Sequence, residues 1–389
     1  SLMFYLAQAY AVRAFDYFTL AQMYQHTYVG NENKPCVPLI TDENMDVAGA
    51  EGCPRATVAK VYEQILTDLD NAILLLEKTS VTRADKRYVS AAVAYGIRAR
   101  VNLVMNNWQA AYDDAVAAIN ASDSKVMSIN EAGKPAFIDI NEKSWMWGVL
   151  ITDKDRVSTT GICNFPSHMG SLNYGYASVG AWRKINAALY AQIPATDVRK
   201  GWWLNEEARS PNLNDEQAAY VAKTDIPAYT QMKFGCYKDE VYTSTNANDI
   251  PLMRVEEMYL ILAEAQAMAG DPATGAATLE NFVKTYRDPE YTCAAKEGQE
   301  LTAALVQDRV WFQRRIELWG EGFSYADMMR LKKDMDRRGS GFEANAVFNI
   351  PTGSDALIYQ IPHDEIEANA MLTETDNNPL ASTPEPVTE

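Results

Sequence analysis

The sequence predicts an all-α protein: paired helices form the body, and one large irregular insert carries short strands. Three observations lead there. Apolar residues recur with helical period through the amino-terminal third and again from Met253. A Tyr-x-x-x-Ala pattern returns at Tyr10/Ala14, Tyr95/Ala99 and Tyr259/Ala263. Between Asn141 and Asp249 the period is lost, and Gly, Ser and aromatic residues take over.

Taken in order, "LMFYLAQAYAVRAFDYFTLAQMY" reads as a helix with Leu6, Ala9, Tyr10, Arg13, Ala14, Tyr17 and Leu20 along one face. It opens without a start signal, which suggests a chain cut from a longer precursor that carried any targeting sequence or lipid-bearing cysteine. Ala56–Lys78 is a second helix, facing inward with Val58, Val61, Tyr62, Ile65, Leu69, Ala72 and Leu76. "SAAVAYGIRARVNLVMNNWQAAYDDAVAAINAS" reads as helix, break at Asn106–Asn107, helix. The last two Tyr/Ala copies stay in register for longer, Asn106 matching Gly270 at the turn and Ala111 matching Gly275 on the return helix. Small residues at these points let antiparallel helices approach closely. The spacing resembles a degenerate tetratricopeptide repeat, whose hairpins bury their apolar faces only by stacking on neighbours. "SWMWGVLIT" looks like a short buried strand in which Trp145 and Trp147 alternate around Met146, either both in the core or one pointing outward, and a short helix is expected over Ile185–Gln192. The expected divisions are helical repeats over 1–140, the aromatic-rich insert over 141–250, repeats over 251–335 and an extended segment over 336–389. The tail "TETDNNPLASTPEPVTE" is expected to be extended or disordered.

Composition narrows the function. With 47% apolar and 22% charged residues the chain is an ordinary globular protein, and its net charge of −17 argues against a nucleic-acid ligand. Acidity suits neutral ligands. No apolar run is long enough to span a membrane as a helix. The five cysteines lack metal-type spacing, although Cys36 and Cys53 bracket one loop and are candidates for pairing. His26, His168 and His363 are scattered, and Gly-rich phosphate loops, HExxH and G-x-S-x-G are lacking, so neither a cofactor nor a metal is expected. The acidic loop from Tyr28 to Pro54 lacks regular calcium-ligand spacing.

The most charged stretch is "FQRRIELWGEGFSYADMMRLKK". On a helix Phe312, Ile316, Trp319 and Phe323 form a stripe, with Arg314, Glu317 and Glu321 on a neighbouring face. Two carboxylates four residues apart are a conceivable hydrolase pair, but adjacent arginines would keep both ionised, and structural ion pairing is the stronger reading for Arg315, Glu317, Glu321 and Asp327. "RRIELWGEGFSYADMMRL" resembles the R-R-x-E-L-x-x-E-G-x-R-x-x-D-L-x-R segment of the SusD/RagB family, with Ser324 where that family usually has arginine. Five further stretches agree in order: "AVRAFDYFTLAQMY" with "VPLIT", "AYGIRARVNLVMNNWQAAYDDA", "ATDVRKGWW", "MRVEEMYLILAEAQAMAGD" and "YQIPHDEIEANAMLTETDNNP".

That resemblance implies a non-catalytic, lipid-anchored outer-membrane protein. It would bind an oligosaccharide, or in the RagB-like branch a peptide, and pass it to a SusC-like TonB-dependent transporter. The membrane is implied only through a lipid anchor absent from this chain. For a glycan, aromatic rings must be exposed to stack on sugar faces. The best stretch is "NYGYASVGAW", giving Trp182, Tyr174, Tyr176 and Asn173 as candidate ligand contacts. Trp108, Trp202 and Trp203 read as packing, and Asp197 and Arg199 as a structural pair. A tetratricopeptide-type scaffold for protein partners is the remaining alternative.

Overall fold

A computed structural model describes residues 1–159 and 164–388. Helix α1 (Leu2–Tyr24) lies on α2 (Val58–Lys78), followed by the hairpin α3 (Ala91–Val104) and α4 (Trp108–Ala121). A second hairpin, α5 (Val255–Met268) and α6 (Pro272–Tyr286), stacks on the first, and α7 (Ala303–Glu317) closes the body against α5. Local chemistry starts these helices where the sequence places them. The side chains of Thr57, Ser90, Asp271 and Thr302 accept from the backbone N–H three residues on, and Pro272 follows Asp271 at the first helical position.

The repeat register holds at every marked position. Asn106 and Gly270 both take left-handed backbone at the hairpin turns, with φ 59° and 114°. Ala99, Ala111 and Ala263 have no exposed surface, and Gly275 is buried. A Cβ on Gly275 would lie 2.6 Å from the Ala263 carbonyl oxygen and 2.8 Å from the Ala267 Cβ, so the hairpin closes only over a bare backbone.

On α1 the expected face is displaced. The buried stripe is Phe4, Ala7, Ala11, Ala14, Phe18 and Ala21, while Leu6 and Leu20 are exposed. The helix is apolar on nearly every side, so period alone does not choose a face; the alanines allow the closest approach to α2. Arg13 stays at the edge, bonded to Asp68 and Asp42.

The insert leaves and returns through one ladder. β1 (Trp145–Val149) pairs antiparallel with β2 (Ile250–Arg254), Trp145 opposite Arg254 and Val149 opposite Ile250. Both tryptophans are buried, Trp147 donating from Nε1 to the Arg87 carbonyl. The carboxy-terminal segment is more ordered than its composition suggests. Asn378 donates to the Tyr24 and Tyr359 carbonyls, and Arg55 donates to the Asp376 carbonyl. Cys36 and Cys53 are free and buried, the Cys53 thiol directed at the Leu39 carbonyl oxygen; Cys163 lies outside the described residues. No helix among the described residues is long and apolar enough to cross a membrane.

The charged stretch is one helix ending at Glu317, then a turn with Gly320 and Gly322 at φ 77° and 90°, then helix α8 (Ser324–Arg330). Glu317 and Glu321 therefore do not share a helix. Their partners come from far along the chain. Arg287 bonds both Glu317 oxygens at 2.7 and 2.9 Å, Arg199 and Arg254 join it, and Arg254 also reaches Glu321 at 2.8 Å. Lys233 donates to Glu321 and to the carbonyls of Glu317 and Trp319. With Asp197 on Arg199 and Glu256 on Arg254 and Arg287, four cations meet four carboxylates, each side chain at most 3% exposed. Arg314 instead bonds Asp327, which also takes Arg330. Arg315, expected to be an ion-pair member, lies over the Trp311 ring at 4.9 Å without a carboxylate partner among the described residues.

Burial alone would raise the Glu317 and Glu321 carboxyls. Arg287, Arg254 and Arg199 outweigh it at Glu317, and Arg254 and Lys233 at Glu321, holding both below the usual glutamate range. Burial depresses the Lys233 ammonium to about 8.

Three outcomes follow. Gly275→Ala forces the hairpin apart and should cost about 1–3 kcal/mol, read as a lower melting temperature; an unchanged midpoint contradicts the register. Glu317→Gln leaves three buried arginines undercompensated and should cost about 3–5 kcal/mol in denaturant unfolding. Because both glutamates are depressed in the folded state, the unfolded chain binds more protons below its own pKa of about 4.5. Their contribution is present above that pH and lost as pH falls, so the melting temperature should drop between pH 5 and 3; a flat profile there would contradict the assignment.

Candidate functional site

The insert folds against a strand-like core of three segments. Gln231 donates from its backbone to the Arg183 carbonyl, Ile185 to Tyr229, Met232 to Trp202 and Leu204 to Thr230. Residues 183–185 and 202–204 thus flank 229–232. Gly180, at φ 105°, turns the chain into Trp182, and the helix Ala187–Gln192 follows. That helix is docked by the backbone N–H groups of Ala187 and Ala188, which donate to the carbonyls of Ser340 and Gly339 and so bring Phe342 alongside.

These elements leave an open groove of about 810 Å³. Trp182, Trp319 and Phe342 supply its rings, with Met169, Gly320 and Pro227 between them. Trp182 and Trp319 are half-buried, and Phe342 is 50% exposed. Trp319 stands edge-on to Trp203 at 5.6 Å, which fixes its plane. A Cβ on Gly320 would meet Met169 and Phe234 at 2.8 Å, so the turn carrying Trp319 seats only a glycine there. Around the rim, Arg183 donates to the Ala181 carbonyl and meets His168 Nδ1 at 3.1 Å. The side chains of Lys184 and Glu343 have no partner among the described residues, which leaves them available to hydroxyls.

The expected contacts divide. Trp182 lines the groove. Tyr176 is 37% exposed, its ring tilted against His168 at 4.5 Å, and Tyr174 is 48% exposed. Asn173 is 3% exposed; its amide donates to Asn246 Oδ1, and Asn246 in turn bonds the Tyr174 carbonyl. It therefore faces the interior and pins the tyrosine loop, a correction to its expected place at the ligand. Trp202 and Trp203 are core, and Trp108 is half-buried against the main core. Trp319, Phe342, Arg183, Lys184 and Glu343 were not foreseen. Gly320 beside Trp319, and Gly341 beside Phe342, were the available signals: an aromatic next to a left-handed glycine is turned out of its helix or strand.

A second depression of about 640 Å³ lies between α1 and the carboxy-terminal segment, bounded by Val12, Leu20, Ile40 and Ile361. Among its polar groups Arg13 is engaged by Asp68 and Tyr17 by Ile40, while the Asp16 side chain has no partner among the described residues.

Known proteins agree with this architecture. The family model described as "SusD family" matches residues 197–379, and that described as "Starch-binding associating with outer membrane" matches residues 2–103. The chain is similar to SusD-like proteins over those two stretches, neither of which alone spans half of it. SusD-like protein P38 of Formosa agariphila is 22% identical over 371 residues, covering 86% of this chain and 68% of that protein. A SusD-like carbohydrate binding protein from Bacteroides vulgatus superposes with a TM-score of 0.72 at 24% identity, over 96% of this chain and 78% of that one. A SusD superfamily protein from Bacteroides thetaiotaomicron gives 0.71 at 22%, over 96% and 77%. At these identities the solved structures establish the fold. Similarity to the SusD family implies carbohydrate binding in nutrient uptake.

Proposed function

We propose that this SusD-like chain captures an oligosaccharide or polysaccharide at the outward face of the outer membrane, where it is lipid-anchored, and hands it to a SusC-like TonB-dependent transporter without chemical change. The observation that carries the glycan reading is the groove: three aromatic rings around an open trough, with unpaired Lys184 and Glu343 at its rim. Sugar rings present apolar C–H faces to such rings and hydroxyls to such tips. Trp182 is the central stacking residue, and Tyr174 and Tyr176 extend the aromatic surface. The absence of chemistry is supported by Glu317 and Glu321, the only carboxylates at hydrolase-like spacing in the charged stretch. Both are buried against arginines and held ionised, unfit to donate a proton.

Stacking contributes through contact area, so affinity should be micromolar to millimolar. Trp182→Ala should weaken glycan binding by about 1–3 kcal/mol with the melting temperature little changed. Isothermal titration against a glycan identified by array checks this. Binding unaffected by Trp182→Ala would remove the groove from the reading, and capture of peptides but no glycan would favour the RagB-like alternative.

A further inference from the structure

The turn from Tyr237 to Thr243 holds three non-glycine residues in left-handed backbone: Lys238 at φ 56°, Asp239 at 59° and Tyr242 at 66°. Tyr242 is the unusual one. It occupies the third position of a turn closed by the Thr243 N–H on the Glu240 carbonyl, a position that turns with positive φ normally give to Gly or Asn. A bulky aromatic there is strained, and such strain persists where the surroundings or a function demands it.

The surroundings do not demand this ring. Among the described residues two other aromatics have positive φ, and both are held by packing: Phe137 is 1% exposed, and Tyr229 is half-buried with its hydroxyl on Glu206. Tyr242 is 60% exposed, and its hydroxyl has no hydrogen-bond partner among the described residues. What holds the turn is backbone. The Tyr242 N–H donates to the Leu172 carbonyl at 2.7 Å, and the Tyr174 N–H to the Thr243 carbonyl at 2.8 Å. The two bonds join Tyr242 to the loop that carries Tyr174, and the rings meet edge to face at 5.6 Å. Tyr220 is tilted against Tyr242 at 5.9 Å, and Tyr220 and Trp182 pack on the same small core of Leu172, Met232 and Cys236.

We propose that Tyr242, paired with Tyr174, is a second glycan-stacking contact beside the Trp182 groove, and that its strained backbone is kept in order to present the ring to solvent. This rests on the glycan reading above and adds to it a ligand long enough to use both contacts. It makes a prediction of sign. Glycine relieves the strain at φ 66° while deleting the ring. If the ring were a structural pin, Tyr242→Gly would lower stability; if it serves a ligand, stability holds or rises while binding falls.

The experiment runs wild type, Tyr242→Gly, Tyr242→Phe and Trp182→Ala in native gels containing soluble starch, laminarin, xylan or polygalacturonate, with melting temperatures alongside. In the gel that retards wild type, Tyr242→Gly should bind at least about fivefold more weakly at an equal or higher melting temperature. Tyr242→Phe should retain wild-type retardation, because it keeps the stacking face. Retardation of Tyr242→Gly equal to wild type, or a lower melting temperature for it, overturns the proposal and leaves the Trp182 groove standing. Wild type unretarded in all four gels overturns both.

Discussion

The buried ion cluster around Glu317 ties the insert to the helical body. Its members come from the insert (Asp197, Arg199, Lys233), the junction of β2 with α5 (Arg254, Glu256), the end of α6 (Arg287), the last residue of α7 (Glu317) and the turn after it (Glu321). Taking eight charges from water is expensive, and in such clusters desolvation consumes most of the Coulombic gain. What remains is geometry. A guanidinium fork fits a carboxylate in few orientations, so each pair fixes the approach of two chain segments, and removal of any partner strands a charge. An apolar core of equal size would tolerate sliding that this cluster does not.

The groove inherits that rigidity. Lys233 donates to the carbonyls of Glu317 and Trp319 while lying over the Phe137 and Trp202 rings at 4.7 and 4.9 Å. One ammonium therefore clamps the turn that carries Trp319, next to the segment 229–232 on which the Trp182 strand is hung. Arg199 does the same for Trp202 and Trp203, against which Trp319 leans. A ring that must lie flat against a sugar needs its plane fixed in advance, because ordering it at binding would consume the small energy that stacking supplies.

The sequence makes the local parts of this arrangement legible and hides the distant ones. Hairpin positions such as Ala99, Ala111, Ala263 and Gly275 can be read because period, cap and turn are written within a few residues. The buried face of α1 cannot, because the helix is apolar nearly all round and α2 does the choosing. Glu317 and Glu321 are identifiable as structural acids, yet their neighbours Arg314 and Arg315 are not the partners; Arg199, Arg254, Arg287 and Lys233 are reached only through the tertiary fold. The site shows the same limit. Trp182 is visible on its Gly/Ser-rich loop, whereas Trp319 hides in an apparent helical stripe until the glycines at 320 and 322 are seen to end the helix.

The division between body and insert follows from these two kinds of interaction. Hairpins close on small residues and aliphatic packing, which give a stiff frame but few exposed rings. The insert returns to that frame through the ladder at Trp145–Val149 and Ile250–Arg254 and is locked again by charge at Arg254, the last ladder residue and a member of the ion cluster. Between those anchors its loops have only to satisfy their own backbone, as Asn173 and Asn246 do under the tyrosine loop. Aromatic side chains are thereby left at the surface, clustered where an acidic surface would otherwise have little use for them. Their exposure costs folding stability locally, and the packed helical frame supplies the stability that permits it, while the ion cluster fixes where the loops sit.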